Sequence, residues 1–395
     1  MLTVSAALDA LKQQVRLNPR IQTLSLDEAL GYTLASAVIS SLAVPDFDNS
    51  AMDGYVLAVD DINKLDSYTL VQRIAAGETG RALMAGEAAR IFTGAPIPPG
   101  GNTVVMQEDC TVVEGCLQIQ GRLTLGQHIR RRGEDVQAGR EILPAGCRLG
   151  AAELGLLAAI GVAHVAVRAP LRVALLSTGK ELVEPGQPLG AGQIYNSNRY
   201  AIGALLREAG CSVSDFGIVA DMLADTRAAL QAAAQDHDVV VSSGGVSVGE
   251  EDHVKAAVSE LGELALWKIA MKPGKPFAFG RIGEADFIGL PGNPVSSFVT
   301  FQLLVRPFLA ARQGGQYQAL WLELPAGFSL AKAGQRDEYL RVRIENNALQ
   351  PYTNQSSAVL TSAVWADGLA LLPAGQTVKP GDVLRYWPLR GWRSV

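Results

Sequence analysis

Three short stretches combine glycine, hydroxyl and carboxylate residues in a way that suits an anionic substrate. STGKELVEPGQ (177–187) offers Ser177, Thr178 and Glu181, and SSGGVSVGEEDH (242–253) sets Ser243, Gly244, Gly245, Ser247 and Gly249 ahead of Glu250, Glu251 and Asp252. Glycines let backbone amides come close to an anion, and a following helix N-terminus adds a favourable potential. The spacing fits neither a phosphate loop, which needs a following Lys-Ser/Thr, nor a dinucleotide G-x-G-x-x-G. By itself the stretch also reads as a tight turn with solvated acids. The third stretch is KPGKP with LPGNP. Lys272 and Lys275 flank a Pro-Gly turn and can present two ammonium groups to one phosphate, or simply face water. Pro291, Gly292, Asn293 and Pro294 suit a helix entrance, with Pro294 in the first turn.

The N-terminal half holds three more such stretches. DNSAMDGY (48–55) carries Asp53-Gly54, which is either functional or a turn before a strand. IFTGAPIPPG (91–100) places Thr93 beside Gly94, and IRRRGEDV (129–136) sets three arginines against Glu134 and Asp135. A charge run of that kind is a solvated edge strand or an anion site. The four histidines show no metal spacing, and the four cysteines form no C-x-x-C pair.

These loops must be positioned by a chain of 395 residues, 48% hydrophobic and 18% charged. That length suits two or three domains at roughly 150 residues each, with ample core. A net charge of −5 argues against a nucleic-acid partner, so an anionic substrate has to be met by local positive charge. From 171 onward the strands LRVALLST, VSDFGIVA, DVVVSSGG and DFIGL alternate with helices. The rhythm predicts a parallel, doubly wound sheet with its ligand site at the carboxyl ends of the strands. Residues 55–146 read as a β-rich insert, 26–31 as a short helix closed at Gly31, and 150–160 as a helix packing on the N-terminal helix 3–15. The expected domains are 1–168, 169–313 and 314–395, the last a small barrel-like β unit. No signal-peptide core is visible at the N-terminus. The segment 287–305 is broken by Pro291 and Pro294, so the reading is a cytoplasmic protein without a membrane span.

Taken jointly and in order, SAMDGY, RIFTGAPIP, VVMQE, RRRGEDV, LLSTGKELVEPGQPLGAGQIYNSN, VVVSSGGVSVGEEDHVK, WKIAMKPGKPFAFG and LPGNPVSS resemble the molybdopterin molybdenumtransferase family, the MoeA type, similar to the gephyrin E domain. The resemblance covers about residues 5–312 and weakens over 319–395, where scattered residues such as Arg336 and Ser356 look similar. It implies Mg²⁺-dependent insertion of molybdate into adenylylated molybdopterin with release of AMP, by an elongated homodimer. It also implies roles. Glu181, Asp221 and Asp252 are the metal candidates, joined in catalysis by Asp53, Thr93 and Asp135, while Lys272 and Lys275 neutralise phosphate or molybdate. Ser177, Thr178, Ser243, Gly244, Gly245, Ser247, Gly249 and Pro291 to Pro294 line the substrate site. One departure is Lys180, where the family more often has a small polar or acidic residue.

Two other classes compete: a gephyrin-like scaffold, and a molybdopterin adenylyltransferase. SAMDGY and RIFTGA argue against the second, which is a lone α/β domain, and the retained acids and lysines argue against the first. Partners expected from the resemblance are a molybdopterin adenylyltransferase and cofactor-accepting proteins.

Overall fold

A computed structural model describes residues 1–62, 67–245 and 253–389. Its centre is a six-stranded sheet in the order Ser212–Val219, Arg172–Thr178, Val239–Ser243, Ala285–Leu290, Pro276–Ile282, Gly262–Lys268. The first four strands pair in parallel, and Pro276–Ile282 alone runs against them, paired antiparallel to both Ala285–Leu290 and Gly262–Lys268. The sheet is therefore mixed, where the rhythm of the sequence predicted a parallel one. The cause is one short connection. Ile282 pairs with Ala285 across Gly283-Glu284, and Gly283 adopts φ +55°. Two residues can close a hairpin, whereas a parallel neighbour needs a crossover of a dozen or more.

The parallel strands are apolar on both faces because both are covered. Val173 and Leu175 pack against Ile202, Leu205 and Leu206 of the helix Ser197–Glu208 and against Val295 and Val299 of the helix that begins at Pro294. Ala174 and Leu176 face the other way, onto Leu230 of Leu223–Asp236 and Val254, Ala257 and Val258 of His253–Leu261. The stretch Pro294–Arg312 is long and apolar enough to cross a bilayer by length and composition. It is also 67% buried, as the central helix of this core.

The N-terminal helix Val4–Gln13 is capped by Thr3, whose hydroxyl accepts from the Ala6 amide at 3.1 Å. Its buried stripe of Val4, Ala7 and Leu11 joins the α/β core rather than the helix Ala151–Ala159 predicted as its partner. That second helix closes a separate core with Ala29, Leu34, Leu143, Val165 and Val167, below the paired strands Ile21–Ser25 and His164–Arg168. Buried charge holds the segment after the first helix in place. Asp286, fully buried, meets Arg312 at 3.1 Å, Arg16 at 3.3 Å and Arg281 at 3.6 Å. Residues 26–31 form turns, not the predicted helix. The run is too short to nucleate one, and Glu28 instead folds back to accept from the Ser25 hydroxyl at 2.8 Å.

Between these lies a six-stranded insert sheet in the order Thr103–Met106, Gly54–Leu57, Glu87–Ile91, Ser67–Ile74, Cys116–Ile119, Cys110–Val113. Gly54 of SAMDGY begins its strand, and a Cβ there would stand 1.8 Å from the Val105 carbonyl oxygen. Nothing but glycine fits. Gly54→Ala should therefore destabilise the insert by about 1–3 kcal/mol, the cost of forced overpacking, read from urea unfolding. The C-terminal sheet is a half-barrel in the order Met271–Lys272, Asp337–Glu345, Gly368–Leu372, Val383–Pro388, Leu322–Pro325, with Ala348–Pro351 paired to Asp337–Glu345. Its first strand belongs to KPGKP, so this sheet grips the α/β unit directly.

Candidate active site

A cavity of about 850 Å³ opens where the Arg172, Val239 and Ala285 strands end. This is the place where parallel sheets bind ligands, because the loops diverge there and helix N-termini point inward. Thr178, Glu181, Asp221, Ser243, Gly244, Gly245 and Pro291 to Pro294 all line it. Ser177 sits one residue below the rim, buried at the end of its strand. Ser247, Gly249 and Asp252 lie outside the described residues.

Two carboxylates reach this cavity from separate loops. Asp221 follows the Ser212 strand, and Lys180 Nζ stands 3.7 Å from one of its oxygens. Glu181 follows Gly179, where a Cβ would lie 2.5 Å from Glu181 Oε2. The carboxylate thus folds over a bare stretch of backbone. Among the described residues no group of three or more His, Cys, Asp or Glu is assembled for a metal.

The glycine pair lines the same cavity, packed against Thr178. Gly244 and Gly245 have φ of +95° and +68°, a region that L side chains seldom adopt. A Cβ on Gly244 would come within 2.9 Å of the Thr178 carbonyl, and one on Gly245 within 2.3 Å of Val254. The Gly244 amide donates to the Leu290 carbonyl at 3.1 Å, continuing the ladder between the Val239 and Ala285 strands. The cradle read for this pair cannot rest on that amide, and falls to Gly245. In the PGNP loop, Asn198 Nδ2 donates to the Gly292 carbonyl at 2.7 Å, and the Ser297 hydroxyl bonds the Pro291 carbonyl.

The two lysines are placed differently from the loops around them. Pro276 lines the cavity, but neither Lys272 nor Lys275 does. Lys272 Nζ bonds both carboxylate oxygens of Glu338, at 3.1 and 3.2 Å, across to the C-terminal sheet. Lys275 is exposed. The reason is the pairing of Met271–Lys272 with Asp337–Glu338, which turns the first lysine toward the neighbouring domain.

Asp53 and Thr93 are brought together by the N-terminal loops, outside the cavity lining of the same chain, while Asp135 lies in the third of these loops with its amide on the Val44 carbonyl at 3.0 Å. Asn49–Ser50 pairs with Ile129–Arg130, and Asn49 also bridges to Pro96, so the three N-terminal motifs meet at one corner. Asp53 Oδ1 accepts from the Thr93 amide and hydroxyl, each at 2.8 Å. The Thr93 amide first, and its hydroxyl second, hold the Asp53 carboxyl below the usual carboxylate range. Thr93→Val removes one of the two bonds and should let Asp53 titrate at higher pH, followed by carboxyl carbon NMR. An unchanged titration would show that the hydroxyl bond is absent in solution. In the arginine run, Arg131 pairs with Asp48 at 2.6 Å and Arg132 with Asp46 at 3.1 Å. Those two charges are met inside the corner, while Asp135 is exposed.

Sequence reading missed part of the wall. Ile194, Tyr195, Asn196 and Asn198 line the cavity, as do His253 and Ala358. IYNSN carried a signal, since an Asn-Ser pair at a helix start is a cap: Asn196 accepts from the Arg199 amide at 3.3 Å. Ala358 carried none. Its loop arrives through the fold, where the Val295 amide donates to the Ser357 carbonyl at 3.0 Å and buried Arg341 donates to the Ser356 carbonyl at 3.3 Å.

Comparison with known proteins agrees along the chain. Residues 2–161 match the profile of the "MoeA N-terminal region (domain I and II)", 174–311 that of the "Probable molybdopterin binding domain" and 323–389 that of the "MoeA C-terminal region (domain IV)". The molybdopterin molybdenumtransferase of Haemophilus influenzae is 39% identical over 376 residues, covering 95% of this chain and 92% of that protein. The enzyme of the same name from Nostoc is 36% identical, covering 88% and 84%. A crystal structure of the molybdopterin biosynthesis MoeA protein of Pyrococcus horikoshii superposes with a TM-score of 0.79 at 30% identity, over 99% of this chain and 100% of that one. A second, at 24% identity, shows the shared fold with a TM-score of 0.86 over 98% and 100%. The chain belongs to the molybdopterin molybdenumtransferase family, transferases of molybdenum cofactor biosynthesis.

Proposed function

We propose that this enzyme inserts molybdate into adenylylated molybdopterin in an Mg²⁺-dependent reaction that releases AMP. The observation that carries the reading is the cavity itself, which Glu181, Asp221 and the glycine pair all line. The substrate brings a pyrophosphate and the second reactant is an oxyanion, so like charges must be held together. Glu181 and Asp221 are hard oxygen donors on separate loops, and the absence of a side chain at Gly179 is what lets the Glu181 carboxylate lie where it does. That donor set fits Mg²⁺, with Asp252 as the third carboxylate. When bound, Mg²⁺ supplies charge neutralisation at phosphate oxygens.

The chain's own groups do the rest. The Gly245 amide and the Ser243 hydroxyl orient the nucleotide phosphate, helped by the N-terminus of His253–Leu261. The PGNP loop closes the far side against the substrate. Lys275, exposed beside Pro276, meets phosphate or molybdate from the rim, and Lys272 contributes only by leaving Glu338.

Asp53, Thr93 and Asp135 enter from a second copy of the chain, in a homodimer with two shared sites. That arrangement accounts for an acidic corner, with ionised Asp53, that does not line the cavity of its own chain. We draw the domain boundaries after 168 and 313 and place the enzyme in the cytoplasm, without nucleic-acid or membrane partners. Its substrate comes from a molybdopterin adenylyltransferase and its product passes to cofactor-accepting proteins. The test is release of AMP from adenylylated molybdopterin by the purified protein. Release that needs both molybdate and Mg²⁺ supports the reading, and release indifferent to molybdate refutes it.

A further inference from the structure

Asp53 is exposed, and Thr93 occupies only one oxygen of its carboxylate. Among the described residues Oδ2 has no partner, so it is the oxygen left for chemistry. Holding it in one direction requires the main chain around Asp53 to be fixed as well as the side chain. Arg90 does this. Its half-buried guanidinium donates from Nη1 to the Gly54 carbonyl at 2.7 Å and from Nη2 to Gln107 Oε1 at 2.5 Å. Gln107 in turn donates its amide to the Asp53 carbonyl at 3.1 Å. Gln107 Nε2 bonds Glu108 Oε1 at 3.1 Å, which keeps Oε1 turned to Arg90. The guanidinium carbon also lies 4.8 Å from the centre of the Phe92 ring, next to Thr93, and 5.1 Å from that of Tyr55. One planar fork on RIFTGAPIP therefore ties SAMDGY to VVMQE, which a lysine ammonium could not do with the same geometry. The sheet itself does not call for a cation here. Arg90 stands in register with Arg73 of the neighbouring strand, and like charges so placed oppose folding.

We propose that Arg90 is a positioning residue, which fixes the main chain on both sides of the Asp53 side chain so that Oδ2 keeps one direction at the shared site. The proposal rests on the reading of Asp53 as a catalytic group at that site. Arg90 itself touches no reacting atom. It acts through the Gly54 carbonyl and, by way of Gln107, through the Asp53 carbonyl. A displaced catalytic group costs transition-state stabilisation and leaves substrate binding nearly as it was, so Arg90 should govern turnover more than affinity.

Arg90→Lys in the full-length protein keeps the charge and loses the fork. It should lower kcat for molybdate-dependent AMP release by about 10²-fold, the scale of a small misplacement, with KM within about threefold of wild type. Asp53 should also lose its seat on Thr93 and titrate at higher pH, read by carboxyl carbon NMR, because the Thr93 amide and hydroxyl are what hold it low. Gln107→Leu frees half of the fork with Arg90 in place. It should move both readouts the same way by less, and it decides the matter if the lysine variant does not fold. Co-expressed with Asp221→Ala, Arg90→Lys should recover activity as Asp53→Ala does. With Asp53→Ala it should recover none, since both lesions lie in one corner. Recovery with neither, where Asp53→Ala and Asp221→Ala do recover, would mark a general defect of the fold and overturn the proposal. So would wild-type kcat, or a lowered unfolding midpoint with an unmoved Asp53 titration. If wild type releases no AMP, or Asp53→Ala turns over like wild type, the catalytic reading of Asp53 has failed. The Asp53 titration in Arg90→Lys then still decides whether Arg90 positions that carboxylate.

Discussion

Asp221→Asn protein is expected to fold like wild type and to lose at least ~10²-fold in molybdate-dependent AMP release, the scale for removing one preorganised electrostatic group. The amide has the shape of the carboxylate and lacks its charge. Asp221 is a good site for this comparison because the fold asks little of it. Its side chain is 27% exposed, and its ion pair with Lys180 is long, at 3.7 Å, with the lysine 70% exposed. Surface pairs of that kind are worth ~0–1 kcal/mol, so the melting temperature should hardly move. The measurement is turnover against Mg²⁺ concentration for wild type, Asp221→Asn and Glu181→Gln. Both variants should need more Mg²⁺ and reach a lower plateau. Wild-type turnover at the same Mg²⁺ in either variant would take that carboxylate out of the metal site.

Co-expressed Asp53→Ala and Asp221→Ala chains should recover roughly a quarter of wild-type activity, although each variant alone is inactive. In a twofold dimer each shared site takes its acidic corner from one chain and its cavity from the other, and the contact occurs twice. In a mixed dimer one site collects both defects and the other neither. Random association makes about half of the dimers mixed, and half of their sites are intact, which gives the quarter. Sites built within single chains would each carry one defect, and nothing would be recovered. Differently sized tags would count the mixed dimers. Mixed dimers that form without activity would refute the shared site, and the assignment of the chain to its family would stand. Asp53→Ala also strips Thr93 of its acceptor, so each variant's unfolding curve belongs beside its turnover.

Local patterns made the loops around the cavity legible in the sequence. Thr178, Glu181, Ser243, Gly244 and Gly245 were recognisable because each follows a run of apolar residues that had to be a buried strand, and ligand loops sit at strand ends. Gly54 was legible only as a possible turn, since nothing along the chain announces the Val105 carbonyl that excludes a side chain. The commitment of the Gly244 amide to Leu290 was equally hidden, because it depends on register with a strand more than forty positions away.

What the sequence determined by itself was most of the elements: the strands apolar on both faces, the amphipathic N-terminal helix, the glycine-rich turns and the order of the motifs, although residues 26–31 form turns and not a helix. These are properties of neighbours along the chain, where one residue's chemistry constrains the next few. What only the tertiary structure decided was which of those residues share a space. Lys272 reads as a cavity cation and is instead held by Glu338, because Met271–Lys272 forms the edge of another domain's sheet. Ala358 reads as nothing and lines the cavity, because the Val295 amide seats its loop at a helix start. The N-terminal helix reads as a partner for Ala151–Ala159 and packs on the α/β core, because an amphipathic stripe specifies that it will be covered but not by what. Long-range pairing rests on shape and register summed over the whole core, and no single stretch of sequence carries that sum.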